Sequence, residues 1–530
     1  MMEEHPEILN PVESMKKTDA WTAFVFLAPV SLFYAILVIS SWSLAYIDFG
    51  DGNYLYISSR IADGLVLYRD IMAPQPPMHL LIGSVLIRIG RAIGNPLFTV
   101  RAFSLLVHLA TMFMIFLTAR KLFNGIFEGI LAGILYLMIP IGFWWSLGYQ
   151  SEGLLILFLT ASFYFFIDLK PRSMIFAALF GTLAAFTNMT AVPYLFLANL
   201  FLLVRKRRLM LSYTLPMFIL GILGIIVMEI YSGGHYLENV FLNQVGTFPK
   251  REISGQSVFS YAIGKIINEG KDVMTWEGGY VLFGLAGLLV YTLKGETINH
   301  RREYIAWHSF FSFFSIGFVS KGGTMEYIFT IGEPYVVLFF AYLAGFLWRG
   351  PMDTGKKFRK FYFTETSRFA ALATLILLLA ANFYIGFFFI KRTLGESQYE
   401  LSEDQVKIVR EIIREETEPG DPILAPPYYA FISETRVVEE YSENYIWTIK
   451  YANETVVEKE PGEGVAKALA IAQKLKNKEI PLVLLDMGQT GKLPPIKSAI
   501  NQYYQPLNVW NGSHILQTLN TRIGFFVPKE

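Results

Sequence analysis

Directly after its first long apolar run, the chain reads Tyr46-Ile-Asp-Phe-Gly-Asp51-Gly-Asn-Tyr-Leu-Tyr56, followed by Leu67-Tyr-Arg69-Asp70 and Pro74-Gln-Pro76-Pro77. Acids, an arginine, aromatic rings and prolines therefore stand together where a helix leaves the bilayer. The proline pair favours an extended entry and then the start of a helix. Because the surrounding sequence is built to hold lipid, this combination predicts an enzyme that works on a lipid-linked substrate at the membrane surface.

Composition places the chain among polytopic α-helical membrane proteins. It has 530 residues, of which 53% are hydrophobic and 16% aromatic, and its mean hydropathy is +0.40. The net charge of +1 gives no bulk attraction for nucleic acid. The absence of cysteine excludes disulfides and thiolate metal sites. The first apolar run is too long for a cleaved signal peptide and predicts a retained anchor.

Apolar runs of membrane-spanning length recur through the first three quarters of the sequence. They predict about eleven transmembrane helices. The predicted spans are 21–46, 98–119, 125–146, 151–168, 173–187, 191–204, 210–231, 278–294, 305–320, 328–348 and 369–390. The fifth and sixth are short, so tilted or partly re-entrant segments fit them as well.

The distribution of basic residues predicts the orientation. Alternate loops are rich in lysine and arginine, and the basic pairs and clusters on this side are Lys16-Lys17, Arg120-Lys121, Lys170 with Arg172, Arg205-Lys-Arg-Arg208, Arg301-Arg302 and Lys356-Lys357 with Arg359-Lys360. By the positive-inside rule, residues 1–20 are cytoplasmic, and the loops 47–97 and 232–277 lie on the opposite side together with residues 392–530. Lys391-Arg392 departs from the rule locally, and a large translocated domain overrides such a pair.

Two regions outside the spans have a predicted structure of their own. In the first outer loop, Asn53–Asp63 and Pro77–Ile93 read as juxtamembrane helices, and the second is amphipathic enough to lie in the interface. After the transmembrane module 21–391, residues 392–530 are richer in charge. There Ser402-Glu-Asp marks a helix start, and Ile480–Asp486 reads as a buried strand. This region is predicted to be an extracytoplasmic α/β domain.

Asp51 is the first candidate for chemistry. A carboxylate at the outer mouth of the spans acts as a general base toward a hydroxyl acceptor when it is ionised and correctly aimed. A solvated loop acid, or a cap for the helix near Asn53, explains the same residue without function. Glu152 opens the fourth span. It fits either a functional acid beside a cavity or an acid that stabilises a helix N-terminus.

Outer cations are candidates for binding a phosphate leaving group. They are Arg69, Arg101, Lys250, Arg251 and Lys321. Each also fits a side chain that snorkels toward lipid headgroups. Asp70, His235 and Tyr54 complete the predicted substrate-binding set. The sequence contains no Walker motif, no G-x-G-x-x-G after a strand and no histidine spacing typical of a metal site.

Taken in order, these segments resemble polyprenyl-phosphate-dependent GT-C glycosyltransferases, in particular the protein O-mannosyltransferases and the lipid A aminoarabinose transferases. The likeness covers nearly the whole chain. It is carried by the loop-one segments quoted above and by Val100-Arg101-Ala-Phe-Ser104, Gly148-Tyr-Gln-Ser-Glu152, Thr187-Asn-Met-Thr-Ala191, Lys321-Gly-Gly-Thr and Glu418-Pro-Gly-Asp-Pro-Ile423. The last of these is similar to the opening of the outer domain in bacterial and archaeal members, which implies a multi-pass protein of a prokaryotic cell membrane.

The resemblance implies roles for three residues. Asp51 matches the acid that orients and deprotonates the acceptor, Glu152 matches a second acid, and Arg101 matches the arginine near the lipid phosphate. The implied reaction is an inverting displacement that moves a sugar from a polyprenyl-phosphate donor to a protein, glycolipid or glycan. Two departures stand out. Gly52 replaces the usual second acid, which leaves the need for a divalent metal open. Gln75 replaces a lysine, which argues against aminoarabinose transfer.

Two other classes of function fit an apolar chain of this kind. A transporter or lipid flippase would show repeats and interrupted helices with binding groups near mid-bilayer, and no repeat is visible. A non-catalytic receptor with residues 392–530 as its binding domain would leave the acidic first loop unexplained. We therefore predict an integral membrane glycosyltransferase with Asp51 as the base.

Overall fold

The computed structural model describes the chain in segments. These are residues 17–44, 49–71, 73–242, 277–293, 300–314, 330–349, 402–438, 463–486, 494–507 and 523–529, together with Leu377 and Tyr384. The predicted eleventh span, 369–390, falls almost wholly outside them, as do Lys250, Arg251 and Lys321.

Helices dominate the described residues. The first ten are α1 Lys17–Ser40, α2 Phe49–Ala62, α3 Pro77–Ala92, α4 Pro96–Phe123, α5 Ile126–Met138, α6 Pro140–Leu147, α7 Ser151–Phe166, α8 Pro171–Thr187, α9 Val192–Arg205 and α10 Arg207–Ser232. Three more helices follow at Glu277–Leu293, His300–Phe314 and Glu333–Arg349. Most of these helices pack into one large apolar core, which includes side chains from α1, α4, α5 and the Glu333–Arg349 helix.

Only some of these helices are long enough to cross a membrane unaided. In the described part of the chain, α1, α4 and α10 have that length and apolar character, and α5 with α6 adds a fourth if the bent pair is one span. The third predicted span, 125–146, is divided between two helices. The chain bends by 64° between α5 and α6. Ile139 is extended and Pro140 lacks the N–H that would continue α5, so the helix restarts there.

The first loop forms the two predicted helices. Helix α2 begins at Phe49, four residues before the predicted start, which places Asp51 in its first turn. Gly64, with φ of +105°, reverses the chain after it. Helix α3 starts with Pro77 and is tied to the end of α2 by Arg91, which contacts both Asp63 and Ser59. The loop is therefore a packed unit rather than a free connection.

Residues after 402 mix helices and short strands. A capping box between Ser402 and Gln405 starts the helix Glu403–Glu416. Further helices run over Pro427–Ser433, Glu463–Lys476 and Pro494–Tyr503. The strands are β1 Pro422–Ile423, β2 Arg436–Val437, β3 Val483–Asp486, β4 Tyr504–Pro506 and β5 Ile523–Pro528. Strands β1 and β2 are parallel, whereas β3, β5 and β4 form an antiparallel sheet in that order.

This C-terminal region shares a core with the first loop. Tyr54 and Leu80 of the loop belong to the same buried cluster as Val409, Tyr429 and Leu484. The helix Pro427–Ser433 packs directly on α2. Consequently the helix that carries Asp51 is covered by side chains that follow it by more than 350 residues.

Candidate active site

Asp51 lies at the start of α2, where it is 1% exposed. One carboxylate oxygen accepts a hydrogen bond of 2.6 Å from the backbone N–H of Tyr149. The preceding residue, Gly148, leaves room for the other oxygen, because a Cβ at that position would lie 3.1 Å from Asp51 Oδ2. The peptide between α6 and α7 therefore fixes the orientation of the predicted base.

Tyr149 itself is held by α3. Its hydroxyl donates a 2.6 Å hydrogen bond to the carbonyl of His79, and the two rings stack at 3.9 Å. Tyr54, one turn after Asp51, contacts the His79 ring edge-on at 5.0 Å. The predicted binding residue Tyr54 is thus buried in an aromatic cluster with His79 and Tyr149, and Tyr149 is the residue whose N–H binds Asp51.

His79 makes this stack sensitive to acid. Burial in the loop lowers the pKa of His79 from 6.5 to about 3. The unfolded chain takes up a proton near pH 6.5, whereas the folded chain does so only near pH 3. Stability is therefore complete above pH 6.5 and falls as the pH drops from there.

We expect the free energy of unfolding to fall by up to about 2 kcal/mol between pH 6.5 and pH 5 through His79. Replacing His79 with Phe keeps an aromatic ring but removes the titration, so its melting temperature should fall less over the same pH range. The exposed His235→Gln variant is the control, and it should follow the wild type. An equal acid sensitivity in the His79→Phe variant would contradict this prediction.

Glu152, in the first turn of α7, is buried at 7% exposure. Its carboxylate accepts hydrogen bonds from the Ser151 hydroxyl at 3.2 Å and from the Asn188 amide at 3.3 Å. The Asn188 amide also reaches Ser151, while its carbonyl oxygen accepts from Thr190. Two sequence segments noted above therefore meet at this acid, and Glu152 lies three residues from the peptide that binds Asp51.

Arg101 contacts the segment that precedes Asp51. It is 3% exposed in the first turns of α4 and donates a 2.9 Å hydrogen bond to the Ser43 carbonyl. The Ser43 hydroxyl donates to Glu403 at 2.8 Å, and the Tyr428 hydroxyl donates to the Leu44 carbonyl at 2.8 Å. The C-terminal region therefore closes over the segment that links α1 to Asp51. Tyr428 and Ser43 were missed by the sequence reasoning, since nothing local marks a contact over such a separation.

The remaining predicted residues are more peripheral. Arg69 is half-exposed and forms a two-pronged ion pair with Asp70 at 2.8 and 2.9 Å. This guanidinium holds the pKa of Asp70 below its usual value. His235 lies 3.5 Å from Glu238 at the surface. Lys321 lies outside the described residues. In the part of the chain that the structure describes, no three acidic or histidine side chains are close enough to hold a metal ion.

Sequence reasoning also missed a polar cluster beside this site. A small cavity runs from Tyr149 and Gln150 toward His108 in α4 and Glu333 at the head of its helix. Glu277 approaches the same place and accepts a 3.0 Å hydrogen bond from the Ile141 N–H. The sequence did offer a signal for this cluster, because Glu277 and Glu333 each begin an apolar helix. Acids at helix starts are common, however, so the signal is weak.

Comparison with known proteins is consistent with the resemblance read from the sequence. Residues 74–231 match the family described as dolichyl-phosphate-mannose-protein mannosyltransferase. No curated protein matches the chain.

Solved structures match over nearly the whole chain. ArnT from Cupriavidus metallidurans bound to undecaprenyl phosphate is 13% identical with a TM-score of 0.60, covering 93% of this chain and 97% of that one. The oligosaccharyltransferase of Archaeoglobus fulgidus in the apo form is 11% identical with a TM-score of 0.55, covering 91% and 73%. AglB from the same organism, in complex with an inhibitory peptide and a dolichol-phosphate, is 11% identical with a TM-score of 0.54, covering 93% and 73%.

Proposed function

This chain has the GT-C fold of these membrane glycosyltransferases, and from that premise we propose that it moves a sugar from a polyprenyl-phosphate-linked donor to an acceptor hydroxyl. The observation that carries the proposal is the buried Asp51, held by the Tyr149 N–H at the point where α2, α6 and α7 meet. A buried carboxylate fixed in one orientation is suited to accept a proton from a bound hydroxyl.

In the proposed reaction, the acceptor oxygen attacks the anomeric carbon while the bond from that carbon to the phosphate oxygen breaks. The acceptor proton passes to Asp51, and polyprenyl phosphate leaves with the bonding electrons. Attack opposite the leaving group inverts the configuration at the anomeric carbon. The Tyr149 N–H keeps one carboxylate oxygen engaged, so the carboxylate stays aimed during the transfer.

Arg101 is the proposed contact for the leaving phosphate. Its guanidinium is fixed by the Ser43 carbonyl, and a preorganised cation stabilises negative charge as it develops. Glu152, held by Asn188 and Ser151, is proposed to bind hydroxyls of the sugar or acceptor. Arg69, which is exposed and held by Asp70, is proposed to meet the donor phosphate on entry, and Lys321 is proposed as a further cation for the same phosphate.

The proposed setting is a cell membrane with the N-terminus in the cytoplasm. Asp51 and residues 392–530 then face the opposite side, where the acceptor would bind. Proteins, glycolipids and growing glycans all present hydroxyls of the required kind. The apolar face of α10, with exposed side chains such as Phe218 and Ile222, is proposed to lie against lipid.

The test is donor consumption by the purified full chain in lipid nanodiscs. A panel of polyprenyl-phosphate sugars is incubated with candidate acceptors and native membrane extract, and released polyprenyl phosphate is measured by mass spectrometry. We expect release from one donor class that depends on an acceptor. Flux of a lipid-linked sugar across the bilayer with no release from any donor would overturn the proposal in favour of a transporter.

A further inference from the structure

A small cavity opens at the bend between α5 and α6. Its lining near the proposed catalytic residues includes Tyr149 and Gln150, and its far end includes Gly142, His108 and Glu333. The cavity measures about 20 Å³, which is room for one water or one small substituent but not for a sugar ring. It belongs to the site because Tyr149 is the residue whose N–H holds Asp51.

Polar groups at the far end lack protein partners. Glu333 is fully buried, and neither of its carboxylate oxygens has a hydrogen bond to any residue that the structure describes. His108 is 5% exposed, and its Nε2 likewise has no partner among those residues, although Nδ1 lies 3.3 Å from the Tyr136 hydroxyl. Buried polar groups without partners are costly, so such a pair in one cavity points to a bound group.

The space between these groups is kept open by a glycine. A Cβ at Gly142 would lie 3.1 Å from Glu333 Oε2 and 3.4 Å from His108 Cε1. Any larger residue would therefore enter the gap between the carboxylate and the imidazole. Glu277 fixes this position, because it accepts the hydrogen bond from the neighbouring Ile141 N–H at the start of α6.

We propose that this cavity binds one small hydrogen-bonding substituent of the donor sugar, a hydroxyl or an ammonium group, and so selects the donor. The inference rests on the proposed glycosyl transfer. The Glu333 carboxyl oxygens accept hydrogen bonds, and the free imidazole nitrogen accepts or donates, so either substituent can bind to both partners.

Position and shape favour a sugar. Ser104 lines the cavity one turn after Arg101, so the proposed phosphate contact and the cavity lie on neighbouring turns of α4. The indole of Trp145 also lines the cavity. Such a site rejects sugars that lack the matching group, because its buried polar atoms would then stay unpaired.

The test compares binding of polyprenyl phosphate with binding of polyprenyl-phosphate sugars to the full chain in nanodiscs, by titration with a thermal-shift readout. The panel contains pairs of sugars that differ in one hydroxyl, hydroxymethyl or amino group. Two variants alter the cavity. Gly142→Ala fills the gap, and Glu333→Gln keeps the shape but replaces the carboxyl group with an amide. The control is Gly221→Ala, which adds the same methyl where nothing lies within 4 Å.

We expect the wild type to prefer one member of a pair, and both cavity variants to reduce that preference roughly tenfold or more. Their affinity for polyprenyl phosphate without sugar should stay within about twofold of the wild type, since the phosphate contacts lie elsewhere. A larger loss for amino sugars than for hydroxyl sugars in Glu333→Gln would identify an ammonium, and comparable losses a hydroxyl.

The proposal is overturned if both variants keep the wild-type preference, which would leave the cavity to a structural water. It is also overturned if the wild type binds every donor as it binds polyprenyl phosphate. Failure of the proposed function has a different signature, namely sugar-selective binding that depends on Gly142 with no transfer from any donor.

Discussion

Replacing Asp51 with Asn is expected to lower the rate of sugar transfer by about 10² to 10⁴-fold, the range that general-base catalysis contributes. An amide has nearly the same shape and still accepts a hydrogen bond from the Tyr149 N–H, so folding should survive. It does not take up a proton from the acceptor hydroxyl, however. The rate is measured as polyprenyl phosphate released per minute, and affinity for the donor should change little.

The matched control is Asp63→Asn, at the end of the same helix. Asp63 is one-third exposed and pairs with Arg60 and Arg91, and surface pairs of this kind contribute about 0 to 1 kcal/mol. This variant should retain nearly full transfer. Full activity in Asp51→Asn would remove Asp51 from the mechanism. Equal losses in both variants would mean that the loop, and not the base, had been damaged.

Replacing Glu152 with Gln is expected to have the second largest effect, a fall of about 10² in turnover. The carboxylate accepts from both Ser151 and Asn188, and a glutamine amide would set its own NH₂ against one of these donors. The variant should also lose discrimination among acceptors or sugars, because the proposed role of Glu152 is to bind hydroxyls. Turnover and the Michaelis constant for each substrate are measured separately.

Glu238→Gln is the control for this second change, since Glu238 is an exposed acid in the loop that follows α10. Its turnover should match the wild type. Asn188→Ala provides an independent check, because it removes one partner of Glu152 without touching the acid. We expect an intermediate loss of about tenfold. Wild-type turnover in both Glu152→Gln and Asn188→Ala would reduce this cluster to a structural role.

Much of the helical architecture could be predicted because apolar runs and helix signals are local. The helices α4 and α10 cover their predicted spans, α1 ends at Ser40 within the predicted span 21–46, and the helix start at Ser402 was visible in three residues of sequence. The break at Pro140 was missed because the apolar run continues on both sides of it. Hydropathy alone does not distinguish a bent pair from one straight span, although the proline offered a warning.

The site was predictable only in part. Asp51, Glu152 and Arg101 stood out because charge is conspicuous at the end of an apolar run, and each lies near the start of a helix, α2, α7 and α4 respectively. Their partners are less conspicuous. Tyr149 binds Asp51 through its backbone N–H, and a backbone contact leaves no signal in the type of the residue. The two residues are also 98 positions apart. Tyr428 and Glu333 are even further in sequence from the groups they approach, so one sequence gives no pairing signal for them.

The closure of the C-terminal region over the first loop has a consequence for biosynthesis. The carbonyl of Leu44 receives its hydrogen bond from Tyr428, which is 384 residues further along the chain. At ordinary translation rates, a ribosome needs roughly 20 to 80 seconds to cover that interval. Helix α2 therefore remains only partly buried until the last quarter of the protein has been synthesised and packs against it. A chain that ends before residue 402 would contain Asp51 without the C-terminal side chains that cover its helix. Premature termination should therefore give an inactive protein.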